Sequence, residues 1–459
     1  MDKELLKKTL STYKPARTGM PVPVSIRRTK LRDFVRRLAK AKLEIYAALT
    51  ADLNRCSMET LLSELIPLVQ IIRYLAGNLS RLSRPRRLRG SMATFPASTR
   101  LYPEPFGRVL VISTWNYPLL LSLEPALGAY AAGNRVVLKL SPRSPHTNAV
   151  IEKLLHSCFS SDEILLIRDE LTLDELMEFS YDYIFVTGSS ATGRQVMRRA
   201  AENLTPCTME LGGKNPCVVT AGANLRLAAR RIVWGKFFNA GQSCAAPDYL
   251  LVERKVKPQL MNLIAKEIRR LYGKDPLGSD FLTGMPDVEA YERMMKLIAD
   301  GRLVWGGNHS PQQLSIEPTV VDRLPENSPL FTQEIFGPIL PVKDYAGDAE
   351  LMQMLAEKER PLAAYCFGAS KELKRFFRYG YSCGAVIFDD VLIHFSNMNV
   401  PFGGVGASGF GAYHGEKSFS TFTHEKPVMT QSRWFDLPLR YPPYRRFLQR
   451  IMEFFNHLG

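Results

Sequence analysis

One cysteine stands where this chain could do chemistry, in Phe238-Asn239-Ala240-Gly241-Gln242-Ser243-Cys244-Ala245-Ala246-Pro247-Asp248. Small residues on both sides leave room for an electrophile, and the thiolate is the nucleophilic form of the side chain. A thiolate that attacks a carbonyl needs a donor for the oxyanion it creates, and a carboxylate that handles protons on water allows hydrolysis afterwards. Glu210, in Met209-Glu210-Leu211-Gly212-Gly213-Lys214, is a carboxylate upstream of that segment. Each has a plainer reading when taken alone. A free cysteine is most often a small buried hydrophobe, and a glutamate before Leu-Gly-Gly serves equally as a cap or an interdomain salt bridge.

The two segments, in their order and separation, resemble the aldehyde dehydrogenase superfamily. Ser113-Thr114-Trp115-Asn116-Tyr117-Pro118, Gln333-Glu334-Ile335-Phe336-Gly337-Pro338 and Pro401-Phe402-Gly403-Gly404-Val405-Gly406 match three further blocks of that family. Thr114 before Trp115, Tyr413-His414-Gly415 and Arg440-Tyr441-Pro442-Pro443-Tyr444 look like its class 3 branch, whose members oxidise medium- and long-chain fatty and aromatic aldehydes. The resemblance implies Cys244 as nucleophile, Asn116 and the Cys244 backbone N–H as oxyanion donors, and Glu210 as the base that activates water. Without it, Asn116 reads as a turn residue before Tyr117-Pro118. Relatives that pass the acyl group to coenzyme A generally lack the glutamate, so a free carboxylic acid is the expected product. An enzyme making aldehydes from acyl thioesters is the nearest rival.

The same resemblance implies NAD or NADP as hydride acceptor. Lys139 matches the lysine on the adenosine ribose and Glu334 the glutamate on the nicotinamide ribose, with Phe336 and Trp115 nearby. Gly188-Ser189-Ser190-Ala191-Thr192-Gly193 follows a predicted strand and opens a helix whose N-terminal dipole favours a phosphate. Gly188, Ser189 and Gly193 are therefore cofactor candidates. Gly404-Val405-Gly406-Ala407-Ser408-Gly409 also spells GxGxxG, but no clear strand precedes it and no helix follows, so it is rejected as a dinucleotide fingerprint. Where the family often has a glutamate after the lysine, this chain has Pro142 and then Arg143. A carboxylate there would repel a 2′-phosphate, so its loss favours acceptance of both nucleotides. Tyr117 and His414 are candidate substrate contacts. No metal site is expected.

These residues need rigid elements behind them. Apolar runs at Gly107–Ile112, Arg135–Lys139 and Tyr183–Val186 alternate with helical stretches at Leu119–Ala132 and Gln195–Glu202. A second alternation runs through Cys217–Val219, Leu225–Phe238, Tyr249–Val252 and Pro258–Tyr272, with later strands at Ile339–Val342, Ala363–Phe367 and Gly384–Phe388. Strand-helix-strand alternation predicts doubly wound parallel sheets with ligands beyond the carboxyl ends of the strands. The expected fold is α/β with two Rossmann-like domains. Residues 1–210 would bind cofactor, interrupted near 92–104 by an oligomerisation hairpin. Residues 211–412 would form the catalytic domain, and 413–459 an oligomerisation strand and amphipathic tail of a homodimer. A hinge is expected near Thr205 to Gly213.

The 459 residues carry 46% hydrophobic and 23% charged residues, ordinary for a globular protein. Seven scattered cysteines without a CxxC pair argue against a disulfide framework or a zinc site and point to a reducing cytoplasm. The charged start carries no signal peptide, and no linear apolar run approaches the roughly 20 residues that span a bilayer. Net charge is +15, with arginine clusters at 27–37 and 81–89. No nucleic-acid motif accompanies them, and a solvated basic face is the reading taken. The tail places Phe447, Leu448, Ile451, Met452, Phe455 and Leu458 on one helical face with arginines beside it, which suits a partner subunit or peripheral membrane contact. A non-catalytic basic protein that binds membranes or nucleic acid is the alternative of a different class.

Overall fold

The computed structural model describes residues 3–12, 21–91, 94–298, 301–436 and 440–455. The chain forms two compact units, Met1–Leu82 with Pro105–Thr423, and Ser83–Glu104 with His424–Gly459.

The larger unit opens with helices α1 (Lys3–Thr12), α2 (Val24–Lys40) and α3 (Lys42–Leu53). A single turn, α4 (Ser57–Thr60), then runs through a π-helical turn, Leu61–Leu65, into α5 (Ile66–Leu82). Leu31, Phe34 and Leu38 of α2 and Leu68, Ile72 and Leu75 of α5 are buried, as their helical spacing predicts. One expectation is corrected here. Within the continuous run Ser57–Leu82 an 18-residue window has a mean hydropathy of 1.2, and by length and composition alone the run could cross a membrane. Glu59 and Glu64 interrupt the apolar pattern in the linear sequence, yet both carboxylates are buried in the fold. Half of that hydrophobic window is buried, which is the behaviour of a core helix.

In the smaller unit, β1 (Arg86–Arg87) pairs antiparallel with β2 (Ser98–Pro105), whose other neighbour is the strand Thr423–Thr430. Arg86 pairs with Glu425 at 3.3 Å, and Lys426 pairs with Glu104. In the helix Arg446–Phe455, Phe447 and Met452 of the tail's expected apolar stripe are exposed. Leu458 lies outside the described residues, as do 92 and 93 of the expected hairpin.

The first large sheet is built from β3 (Arg108–Ile112), α6 (Pro118–Ala132), β4 (Arg135–Lys139), α7 (Pro145–His156), β5 (Ile164–Ile167), α8 (Leu173–Leu176), β6 (Tyr183–Gly188), α9 (Ser190–Glu202) and β7 (Cys207–Leu211). Its order is β7-β6-β3-β4-β5, all parallel, with Gly409–Phe410 added antiparallel on β7. The chain winds outward both ways from β3, so the crevice beyond β3 and β6 is the switch point where such sheets take ligands. Helix α9 begins earlier than its apolar pattern indicates, because Gly193 sits inside its first turns. The segment expected as a hinge contains β7 instead. Glu210 is part of the sheet, registered with Thr187 on one side and Gly409 on the other.

The second sheet contains β8 (Pro216–Val219), α10 (Leu225–Phe237), β9 (Tyr249–Glu253), α11 (Lys257–Tyr272), α12 (Val288–Ile298) and β10 (Arg302–Trp305). After the separate ribbon β11 (His309–Ser310) and β12 (Ser315–Ile316) come β13 (Thr319–Asp322), β14 (Ile339–Tyr345), β15 (Ala363–Phe367) and β16 (Ala385–Phe388). The order is β10-β13-β14-β9-β8-β15-β16, parallel except for β10. The architecture is the doubly wound α/β fold the alternation predicts.

Candidate active site

Cys244 follows α10 through an unusual turn. Asn239, Ala240 and Gly241 have φ of 53°, 51° and 73°, three successive residues in the left-handed region. For Asn239 and Ala240 that costs free energy, so the surroundings must hold them. Asn215 Nδ2 donates to the Cys244 carbonyl at 2.6 Å and to Ala246 O at 3.0 Å, fixing the segment on the far side of the sulfur. Burial, followed by the negative charges of Glu334 and Glu210, pushes the Cys244 thiol up to about 12. In this state the group is a thiol at neutral pH.

Asn116 sits beyond the carboxyl end of β3, just before α6. Its Nδ2 donates to Gln242 O at 3.0 Å, and Oδ1 has no protein partner. An amide nitrogen carries two hydrogens, so one is committed to the Cys244 segment and one is left for the cavity that Asn116 and Cys244 both line. Glu210 lines the same cavity. Its side chain is buried and neither carboxylate oxygen has a protein partner. Burial, reinforced by Glu124, raises its pKa well above the ordinary carboxylate value.

That cavity, about 350 Å³, runs from Cys244 to the start of α9 and is lined by Trp115, Gly188, Ser189, Gly212, Glu334 and Phe336 among others. Trp115 and Phe336 meet edge to face at 5.5 Å. Glu334 accepts one bond, from Gly213 N at 3.2 Å. Burial and the nearby Asp248 raise its pKa to about 8, so the carboxylate is short of donors, and a ribose diol would supply two. A side chain at Gly212 would collide with that carboxylate. At the other end, Ser189 caps α9 by accepting from Thr192 N at 3.2 Å. The residues present therefore fit a dinucleotide.

Three cofactor expectations are placed differently. A Cβ on Gly193 would meet Leu211 at 2.8 Å, so this glycine sits where α9 packs closely on β7. Lys139 donates to Arg168 O and is not among the lining residues. Arg143 does line the cavity, but its guanidinium is paired with Asp287 at 3.0 Å and with Glu289 at 2.5 Å. A 2′-phosphate would have to compete with two carboxylates.

A second cavity, about 220 Å³, opens on Cys244 and is lined by Leu62, Tyr117, Leu120, Trp234, Phe238 and Phe402 among others, with no charged residue. Tyr117 is on this wall; His414 is not. The His414 ring is buried, with Nδ1 at 3.1 Å from Glu124 Oε1, and it stacks on Phe395 at 4.8 Å. Among the described residues no cluster of potential metal ligands is present.

The linear reading missed the support beneath the site. Arg55, Glu59 and Glu64 are buried, and Arg55 Nη1 pairs with Glu64. Arg55 Nη2 donates to Asn116 O and, at 2.6 Å, to Asn239 Oδ1. Glu59 accepts from Asn239 N, and Asn239 Nδ2 donates to Asn116 O and Gln242 O, each at 3.0 Å. No local signal marks Arg55: it lies in the connection between α3 and α4, and its partners Asn116 and Asn239 come from distant parts of the chain.

Two doubly wound sheets carry a cysteine on the walls of two cavities, one that includes Glu210, Glu289 and Glu334 in its lining and one with no charged residue. The model of the aldehyde dehydrogenase family matches residues 10–428. This chain is 38% identical over 416 residues to aldehyde dehydrogenase family 3 member H1 of Arabidopsis thaliana, covering 89% of this chain and 86% of that protein. It is 35% identical over 430 residues to aldehyde dehydrogenase family 3 member A2 of Mus musculus, covering 93% and 89%. A structure described as the substrate-bound state of Staphylococcus aureus AldH superposes with a TM-score of 0.92 at 33% identity, over 99% of this chain and 98% of that one. The chain belongs to the aldehyde dehydrogenase family, and its activity is the NAD(P)-dependent oxidation of an aldehyde to a carboxylic acid.

Proposed function

We propose that Cys244 is the nucleophile, Asn116 and the Cys244 backbone N–H the oxyanion donors, and Glu210 the general base, acting on medium- or long-chain fatty or aromatic aldehydes. The observation that carries this reading is Cys244 on the walls of both cavities, the apolar one and the one holding Glu210, Asn116 and Glu334. Once the Cys244 thiol has given up its proton to solvent, the sulfur bonds to the aldehyde carbon, and the carbonyl oxygen takes up the negative charge within reach of the free Asn116 hydrogen. A nicotinamide held by the cavity residues Trp115, Glu334 and Phe336 would supply the hydride acceptor, and loss of hydride from the carbon to it would leave a thioester on Cys244. The resulting thioester on Cys244 is attacked by water as Glu210 takes a proton, the C–S bond breaks, and the acid leaves with the thiol restored. The uncharged lining of the second cavity favours an apolar chain and gives no partner to a charged one.

Residues 1–210, carrying the first sheet, are the proposed cofactor-binding part and 211–412 the catalytic part. Residues near 92–104 and 413–459 are proposed for assembly of a homodimer. The chain is proposed to work in the cytoplasm, with peripheral membrane contact through its tail. The test of the activity is reduced-nicotinamide absorbance with a medium-chain aldehyde and either NAD or NADP. Turnover is expected in the native chain, with loss on the order of 10⁴-fold or more in Cys244→Ala, as for other catalytic nucleophiles. Retained turnover in that variant would remove Cys244 from the mechanism.

A further inference from the structure

The Arg55 network carries more than packing. Its guanidinium is fully buried and bound on two sides, to Glu64 through Nη1 and to Asn116 O and Asn239 Oδ1 through Nη2. It also lies 5.1 Å from the centre of the Tyr117 ring. Glu64 Oε2 accepts from Leu119 N at 2.7 Å and Leu120 N at 3.0 Å, the first turn of α6. The segment bearing Asn116 is thus held at its carbonyl by Arg55 and at the following helix start by Arg55's partner. Glu64 itself belongs to the π-helical turn, a distortion often found at functional sites. Burying an ion pair seldom gains stability over well-packed apolar residues of the same volume, so stability alone is a poor reason for this arrangement.

Resting on the mechanism above, we propose that Arg55 is a positioning residue of the aldehyde oxidation. Through the Asn116 carbonyl and the Asn239 side chain it locks the oxyanion-donor segment to the nucleophile segment. The geometry is a closed circuit. Asn116 Nδ2 reaches Gln242 O, Asn239 Nδ2 reaches both Gln242 O and Asn116 O, and Arg55 reaches Asn116 O and Asn239 Oδ1. With one Asn116 hydrogen held by Gln242, the direction of the other is fixed before any aldehyde arrives. Such preorganisation lowers the barrier, because no donor must be reoriented as charge develops.

The test is a double-mutant cycle between Arg55→Met and Asn116→Ala. Arg55→Met is expected to lower kcat by roughly 10- to 100-fold, less than the 10²–10³ that loss of an oxyanion donor costs. KM for the nucleotide should stay within about twofold, since Arg55 does not line that cavity. In the Asn116→Ala background the same substitution should cost no more than about twofold, because the two act through one group. An equal loss in both backgrounds, or an unchanged kcat in Arg55→Met, overturns the proposal. Should the methionine variant fail to fold, Arg55→Lys takes its place: lysine keeps the charge beside Glu64 but lacks the planar fork. It is expected to lose roughly 3- to 10-fold in kcat, again only when Asn116 is present. Full activity in Asn116→Ala alone would overturn the oxyanion assignment together with this one, whereas additivity would overturn only the role of Arg55.

Discussion

At the level of single residues, the site is a set of groups held away from their ordinary ionisation. Cys244, with its thiol pushed up to about 12 by burial and then by Glu334 and Glu210, is predominantly protonated in cofactor-free protein. Because its pKa is raised, the reactive thiolate grows with pH. Its alkylation by iodoacetamide, followed by mass spectrometry, should therefore rise by about one log unit per pH unit from pH 7 to 10. A plateau below pH 9 would contradict that environment. Cys244, Glu210, Asn116, Glu334, Trp115 and Phe336 were expected from short blocks that resemble the family, and the fold brings all six to the lining of one cavity. Arg55, Glu59 and Glu64 were not, since their partners Asn116 and Asn239 come from distant parts of the chain and meet them only in the fold. His414 shows the reverse: a position that resemblance links to substrate is bound to Glu124.

Elements explain why these residues converge. The apolar runs of β3, β4, β6, β8, β9 and β15 were visible because parallel strands buried on both faces read as short continuous hydrophobic stretches. Strand β7 was hidden by the turn chemistry around it, Thr205-Pro206 before and Gly212-Gly213 after. The rejected GxGxxG segment proves to have a structural use: its last glycine starts the short strand that covers β7 at Glu210. The turn after β7 also governs the cofactor cavity, because the Glu334 carboxylate occupies the space a side chain at residue 212 would need. Gly212→Ala should displace that carboxylate and remove its bond from Gly213 N. A lost bond to a charged group is worth about 1.5–3 kcal/mol, so NADH affinity should fall by roughly tenfold or more. Fluorescence titration with NADH would check this, and an unchanged Kd would detach Glu334 from nucleotide binding.

For the whole molecule, charge and tail suggest contacts beyond the substrate. The helix Arg446–Phe455 exposes Phe447, Met452 and Phe454 beside Arg446 and Arg450, a pattern suited to an anionic lipid surface. Removing residues 440–459 should abolish co-sedimentation with anionic vesicles. It should leave the mass by light scattering at that of a dimer, because β1, β2 and Thr423–Thr430 all precede the cut. Vesicle binding that survives truncation would place the membrane contact elsewhere; a monomer before truncation would remove the dimer. Composition excluded little at this scale, and the positions of the two cavities could not be read from the sequence at all. Those cavities have only Leu121 and Cys244 in common among their lining residues. On the proposed assignment nucleotide and aldehyde would have separate doorways onto one sulfur atom, and a compound lodged in either chamber need not obstruct traffic through the other.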